Sequence, residues 1–207
     1  RRLRAPERGL SPRANGRQGQ RPGCPPFALS LPLTDRRQAL VIGAGLAGAA
    51  LCAALTRRGW QVTLVDAEDG PARRASALPV GMLSPHVTRS PTPMSRLSAL
   101  GVADMRTELE RLLPQGQGWQ SCEVDNLGHD PGRWPAAMVR PAALVQAWLD
   151  EARGSGRLQT RWGCAVHRLG RGGGGWQALD EGGQVLAEAP TVLLASAWGS
   201  AALLAAT

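Results

Sequence analysis

Lysine is absent: all 24 basic side chains among the 207 residues are arginine. Set beside the abundance of Ala, Gly and Pro, this reads as the imprint of a GC-rich genome rather than as a demand for guanidinium chemistry. Long apolar runs are also missing. No stretch approaches the roughly 18–20 residues that span a bilayer, so no transmembrane helix is expected. Residues 1–37 are basic and proline-rich but hold no apolar core, which excludes a secretory signal peptide. The four cysteines (Cys24, Cys52, Cys122, Cys164) form no C-x-x-C pair and match no zinc spacing. They are read as buried free thiols, with Cys52 on a helix face and Cys164 within a strand. His86, His129 and His167 are scattered, so no metal site is expected.

The net charge of +8 suggests a nucleic-acid partner until it is located. Nine arginines against Glu7 and Asp35 give residues 1–38 a net of +7, leaving +1 for the remainder. The basicity therefore belongs to the N-terminal segment and not to the domain. That segment is too polar to bury a core and is expected to be a disordered tail, with an RNA-touching arm as the alternative. The whole chain is 43% hydrophobic, enough for a sizeable core. The chain starts at Arg1 rather than at methionine and is expected to be a piece of something longer.

Gln38–Ile42 is a short apolar run ending in glycine, as in a strand buried on both faces. A helix from Ala49 to Arg58 follows, with Arg57 and Arg58 in its last turn and Gly59 as its stop. The next strand runs from Trp60 to Val65. Residues 75–85 read as a loop. Helices are expected over Ser95–Leu113 and from Pro141 to about Arg153. Strands are expected over Leu158–Leu169, Gly175–Leu179, Gln184–Leu186 and Thr191–Ala195, with a turn at Gly172–Gly175 and a short apolar helix at the end.

The chemistry lies between the first two strands. Gly43-Ala44-Gly45-Leu46-Ala47-Gly48 has a strand before it, a helix after it and Asp66 at the tip of the following strand. This is the dinucleotide-binding arrangement. Gly43 permits the tight turn, Gly45 lets the backbone approach a pyrophosphate, and Gly48 lets the helix pack closely on the sheet. The pyrophosphate sits where helix N–H groups and dipole favour an anion. The Asp66 carboxylate accepts from ribose hydroxyls and repels a 2′-phosphate, which argues against NADP. The motif alone does not separate NAD from FAD. The loop, long helix and strand-rich segment that follow, before the return to a buried strand at Thr191, suit a two-domain flavoprotein.

Val41–Ala50 with Arg58–Leu64 resembles the FAD-dependent oxidase half of the MnmC family of bifunctional tRNA-modifying enzymes, within the D-amino-acid oxidase-like superfamily. Three more stretches carry the resemblance. Ala77–Pro85 is similar to the family's flavin-side loop, Trp134–Leu149 to its W-x-x-P-x-x-L segment, and Thr191–Gly199 to the turn closing the sheet near the flavin. The resemblance implies an α/β Rossmann-type FAD/NAD(P)-binding domain into which the start of a strand-rich α+β substrate domain is inserted. It divides the chain into a tail (1–37), a first part of the FAD domain (38–90), a helical and loop segment partly of the substrate domain (91–150) and a continuation of the FAD domain (151–207), with the family's C-terminal part lying beyond. The implied cofactor is FAD, held by Gly43, Ala44, Gly45, Leu46, Ala47, Gly48, Asp66, Ala77, Gly81, Met82, Leu83 and Ala195.

The implied activity is cytoplasmic oxidation of the carboxymethylaminomethyl group of a tRNA wobble uridine, with a fused or separate methyltransferase as partner. A free amino-acid or amine oxidase and a truncated, non-catalytic dinucleotide-binding fragment are the alternatives. No catalytic residue is singled out. Arg140, able to pair with a carboxylate or phosphate, and His86 after the loop proline read as solvated side chains. Asp125 and Asp130 around His129 read as a polar loop, and Trp119, Trp134, Trp148, Trp162, Trp176 and Trp198 as core, with stacking on a base as the alternative.

Overall fold

The computed structural model describes Cys24 and residues 37–128 and 131–205. The expectation of a disordered tail, and His129 with Asp130, therefore lie outside the described residues. Four strands form a parallel sheet in the order β10-β1-β2-β6, with β1 at Gln38–Ile42, β2 at Gln61–Val65, β6 at Leu158–Arg161 and β10 at Thr191–Leu194. Every residue of β1 is buried, because both faces of the sheet are covered. Val41, Val62 and Leu64 pack with helices α1 (Leu46–Arg57) and α3 (Pro141–Gly154). Leu40, Ile42 and Val65 point the other way, into a cluster with Leu169, Ala178 and Leu186 of the antiparallel sheet β7-β8-β9 (Arg168–Gly172, Gly175–Leu179, Val185–Ala189) and with Leu203 of α4 (Gly199–Ala205). Strand alternation places successive side chains on opposite faces, and the apolar run Ala39–Ile42 supplies both of the covered faces.

Helix α2 (Pro93–Leu112) begins at Thr92, whose hydroxyl accepts from the Ser95 N–H while the Ser95 hydroxyl accepts from the Thr92 N–H. This reciprocal cap satisfies two end donors. An ion-pair cluster ties the three long helices together. Glu108 of α2 accepts from Arg57 of α1 at 3.0 Å, from Arg111 at 3.0 Å and from the Trp148 indole of α3 at 3.0 Å. Arg111 also reaches Glu151 of α3 at 2.9 Å. The Arg111 hydrogen bond above all, with Arg57 and Trp148 adding to it against the cost of desolvation, holds the Glu108 carboxyl down at about 2.

Several expectations need correction. The polar-loop reading of Asp125 fails: Asp125 lies in β4 (Trp119–Asn126), which pairs antiparallel with β5 (Gly132–Val139). The loop at 75–85 contains a turn of 3-10 helix, Ala75–Ala77, and strand β3, Gly81–Leu83, which pairs with the far end of β5. The strand expected over Leu158–Leu169 is two strands, β6 and β7, in different sheets. Cys164 lies between them and is not a free thiol: it is disulfide-bonded to Cys24, 140 residues away in sequence. Cys52 is free and buried as expected, and burial pushes its thiol up to about 12. Among the described residues no helix is long and apolar enough to cross a membrane, and no group of three or more metal-ligating side chains occurs.

Candidate dinucleotide site

The carboxyl ends of β1, β2 and β10 open into one cleft of about 960 Å³. Its floor is the glycine turn between β1 and α1. Gly43 has φ +108, a left-handed backbone that disfavours any side chain, and a Cβ there would lie 2.6 Å from the Ala195 carbonyl oxygen. Its N–H donates to the Val65 carbonyl at 2.9 Å, which joins the turn to β2. A Cβ on Gly48 would come within 1.8 Å of the Gly43 carbonyl oxygen, so α1 can approach the turn this closely only without a side chain there.

Asp66 follows β2 directly. Its Oδ2 accepts the Ala44 N–H at 2.6 Å and its Oδ1 accepts the Glu68 N–H at 2.8 Å. Each carboxylate oxygen keeps a further lone pair, so the same group can accept from a ribose hydroxyl while it fixes the turn. Helix α1 has no acidic side chain in its first turn and no side-chain cap from Gly45. Its Leu46 N–H is met instead by the Ser76 hydroxyl at 3.1 Å, and a Cβ on Gly45 would lie 3.1 Å from that same oxygen. The helix N-terminus, the glycine cradle and the ribose-facing acid together fit a pyrophosphate-linked dinucleotide.

Of the residues expected at the cofactor, the cleft brings together Gly43, Ala44, Gly45, Leu46, Ala47, Asp66 and Ala195. Gly48 sits beneath the turn rather than on the cleft wall. Ala77, Gly81, Met82 and Leu83 lie on the 3-10 turn and β3, outside the cleft lining. Arg140 and His86 are both exposed and away from it.

The structure adds residues that the motif did not point to. Ser76 and Arg74 come from the loop after β2, and the Arg74 Nε donates to Glu68 at 2.7 Å on the rim. Cys164 and His167 enter from the β6–β7 connection, and Ser196, Ala197 and Trp198 from the end of β10. Trp198 is 91% exposed, which corrects its reading as core; Trp119 and Trp148 are buried. Ala197 adopts φ 50, an uncommon backbone for a residue with a Cβ, at the point where the chain turns from β10 into α4. The likeness of Thr191–Gly199 to a turn that closes the sheet near a flavin was the sequence signal for Ser196, Ala197 and Trp198; Ser76, Cys164 and His167 had none.

Residues 38–136 match the family model described as FAD dependent oxidoreductase. Proteins named tRNA 5-methylaminomethyl-2-thiouridine biosynthesis bifunctional protein MnmC match most of the chain. The protein from Polaromonas sp. strain JS666 is 36% identical over 240 aligned residues, covering 94% of this chain and 37% of that protein. The one from Albidiferax ferrireducens is 41% identical over 171 residues, covering 79% and 27%. The chain thus spans about a third of the length of the curated relatives it matches. Among solved structures, iminodiacetate oxidase from Chelativorans sp. BNC1 superposes with a TM-score of 0.59 at 22% identity, over 81% of this chain and 57% of that one. Glycine oxidase from Bacillus cereus gives 0.57 at 18% identity over the same shares. These two likenesses concern the fold.

Proposed function

This chain carries part of an FAD-dependent oxidoreductase domain related to the MnmC enzymes and takes FAD as its cofactor; from that premise we propose that it belongs to an oxidase acting on the carboxymethylaminomethyl group of a tRNA wobble uridine. The observation that carries the reading is the 36% identity maintained over 94% of the chain to a protein named for a step of that modification. The product would be aminomethyl-uridine: the glycine-like carbon loses two electrons, and water then releases it as glyoxylate. Bound FAD supplies the electron acceptor for this chemistry.

The chain's own residues hold the cofactor. The α1 N-terminus receives the pyrophosphate, with the Ser76 hydroxyl beside it. Asp66 orients the adenosine ribose and fixes the Ala44 turn. Ala195 and Gly43 bring the backbones of β10 and β1 against the cofactor from either side. Ala77, Gly81, Met82 and Leu83 are assigned to the flavin side, on the 3-10 turn and β3 outside the cleft lining. In the proposed division, 38–90 and 151–207 build the dinucleotide fold and 91–150 contributes to substrate binding through α2, β4 and β5, with β3 of the first part completing the β4–β5 sheet. Within that middle part, the start of α3 packs on α1 and serves the dinucleotide fold. The proposed partners are tRNA as substrate and a methyltransferase, fused or separate, acting on the product. The proposed location is the cytoplasm, where tRNA is modified.

The test is nucleoside analysis. FAD-loaded protein is incubated with tRNA carrying carboxymethylaminomethyl-uridine, and in parallel with free glycine. Conversion to aminomethyl-uridine with stoichiometric glyoxylate supports the reading. Turnover of glycine with the tRNA unchanged replaces it with a free amino-acid oxidase, and turnover of neither replaces it with a non-catalytic dinucleotide-binding fragment.

A further inference from the structure

Cys24 lies in the arginine-rich N-terminal segment, yet its sulfur is bonded to Cys164, which is 1% exposed and lines the dinucleotide cleft. Cys164 packs with Leu40, Ile42 and Val65, the lower face of the parallel sheet. Its backbone N–H donates to the Asp66 carbonyl at 2.8 Å, and the neighbouring Gly163 N–H donates to the Glu68 carbonyl at 2.8 Å. Asp66 in turn holds the Ala44 N–H of the glycine turn. A short chain of hydrogen bonds therefore runs from the disulfide to the cradle. A guanidinium nitrogen of Arg161 lies 3.5 Å from the Cys24 sulfur.

We infer that Cys24 and Cys164 form a reversible thiol–disulfide site whose closure tightens dinucleotide binding in the adjoining cleft. The inference rests on the dinucleotide reading of that cleft. Disulfides that occur in a reducing compartment are mostly transient and redox-sensing, and this one joins a terminal segment to a binding site rather than stapling a small core.

The two sulfurs differ in access. Cys24 is half-buried and Cys164 is enclosed, so a dithiol reductant attacks the Cys24 sulfur. The S–S bond breaks, and Cys164 leaves as a thiolate that takes up a proton. The reductant's second thiol, as thiolate, then attacks the mixed disulfide and releases Cys24, which is protonated in turn. Two reductant thiols become one disulfide, and two electrons and two protons pass to the protein. In the reverse direction Cys24, the more accessible of the two sulfurs, is the attacking thiol. Closure fixes Cys164 beneath Asp66; opening leaves the Asp66 and Glu68 carbonyl contacts to hold that strand connection alone.

The experiment measures FAD affinity by flavin fluorescence on the full chain, air-oxidised, reduced with dithiothreitol, and as Cys24→Ser, with Cys122→Ser as control. Peptide mass mapping reports the disulfide in each sample. The expected result is a Cys24–Cys164 peptide in the oxidised chain and FAD binding about tenfold weaker after reduction, within the usual range for coupled sites. Cys24→Ser should match the reduced chain and ignore dithiothreitol, while Cys122→Ser should behave as the parent. Coupling is reciprocal, so saturating FAD should also make the disulfide about tenfold harder to reduce in a dithiothreitol titration. Equal FAD affinity in all forms, or absence of the Cys24–Cys164 peptide from the oxidised chain, overturns the inference alone. A mapped disulfide with no FAD binding in either state overturns the cofactor reading as well.

Discussion

The Asp66 carboxylate accepts the Ala44 N–H at 2.6 Å, so the acid at the end of β2 braces the glycine turn at the end of β1. In the proposed cofactor site, one side chain would thereby shape the pyrophosphate cradle and accept from the ribose. Asp66→Ala removes both. A hydrogen bond to a charged group contributes about 1.5–3 kcal/mol, so FAD affinity should fall by about 10- to 100-fold, measured by flavin fluorescence titration. Asp66→Asn keeps one acceptor and should fall between the parent and the alanine variant.

Gly48→Ala should act on stability rather than on the cleft wall. Its Cβ would lie 1.8 Å from the Gly43 carbonyl oxygen, a backbone atom that cannot swing aside. The cost of overpacking at such a contact is about 3 kcal/mol, read from urea unfolding. Gly154→Ala, with open space around its Cβ, should change stability little.

Acid should find the helix cluster early. The Glu108 carboxyl is held at about 2 against 4.5 in its unperturbed state, chiefly by its hydrogen bond to Arg111. A carboxyl lowered on folding contributes stability that is complete above about pH 4.5 and drains away as pH falls toward 2, because the unfolded chain takes up the proton first. Glu108→Gln should be less stable than the parent at neutral pH and should show a flatter loss of melting temperature between pH 5 and 2. Parallel acid profiles for the two proteins would contradict the assignment.

The cysteines should separate by reactivity. Cys52 is fully buried with its thiol pushed up to about 12, and Cys24 and Cys164 are joined. A thiol reagent added to the folded, oxidised chain should therefore label Cys122 alone. Cys52 should react only after denaturant, and the remaining pair only after reduction.

The β1–α1–β2 unit was legible because its signals are local: an apolar run covered on both faces, glycines at fixed offsets, and an acid at the next strand's tip. Helix α3 was legible from Pro141 and its apolar face. Strands β4 and β5 were not. Their sequence WQSCEVDN pairs with GRWPAAMV, where charged residues and a proline obscure the alternation. Pro135 is tolerated because β3 pairs only with residues 137–139, leaving β5 with a single neighbour at that point. The far wall of the cleft was hidden for another reason. Ser76, Cys164 and Trp198 reach it from three distant connections, and no spacing in the chain encodes their convergence. The Cys24–Cys164 bond belongs to the same class, since four cysteines with irregular spacing do not fix a pairing.

In the proposed function, FAD occupies the cleft above Gly43, Gly45 and Asp66. The most direct measurement is the absorption spectrum of the chain after incubation with FAD and desalting, beside Gly45→Val, whose side chain would press on the Ser76 hydroxyl and fill the cradle. Flavin absorption retained by the parent and lost by Gly45→Val is the predicted result. Flavin retained equally by both would contradict the placement of the cofactor at the α1 N-terminus, and flavin retained by neither would contradict the claim that these residues suffice to hold it.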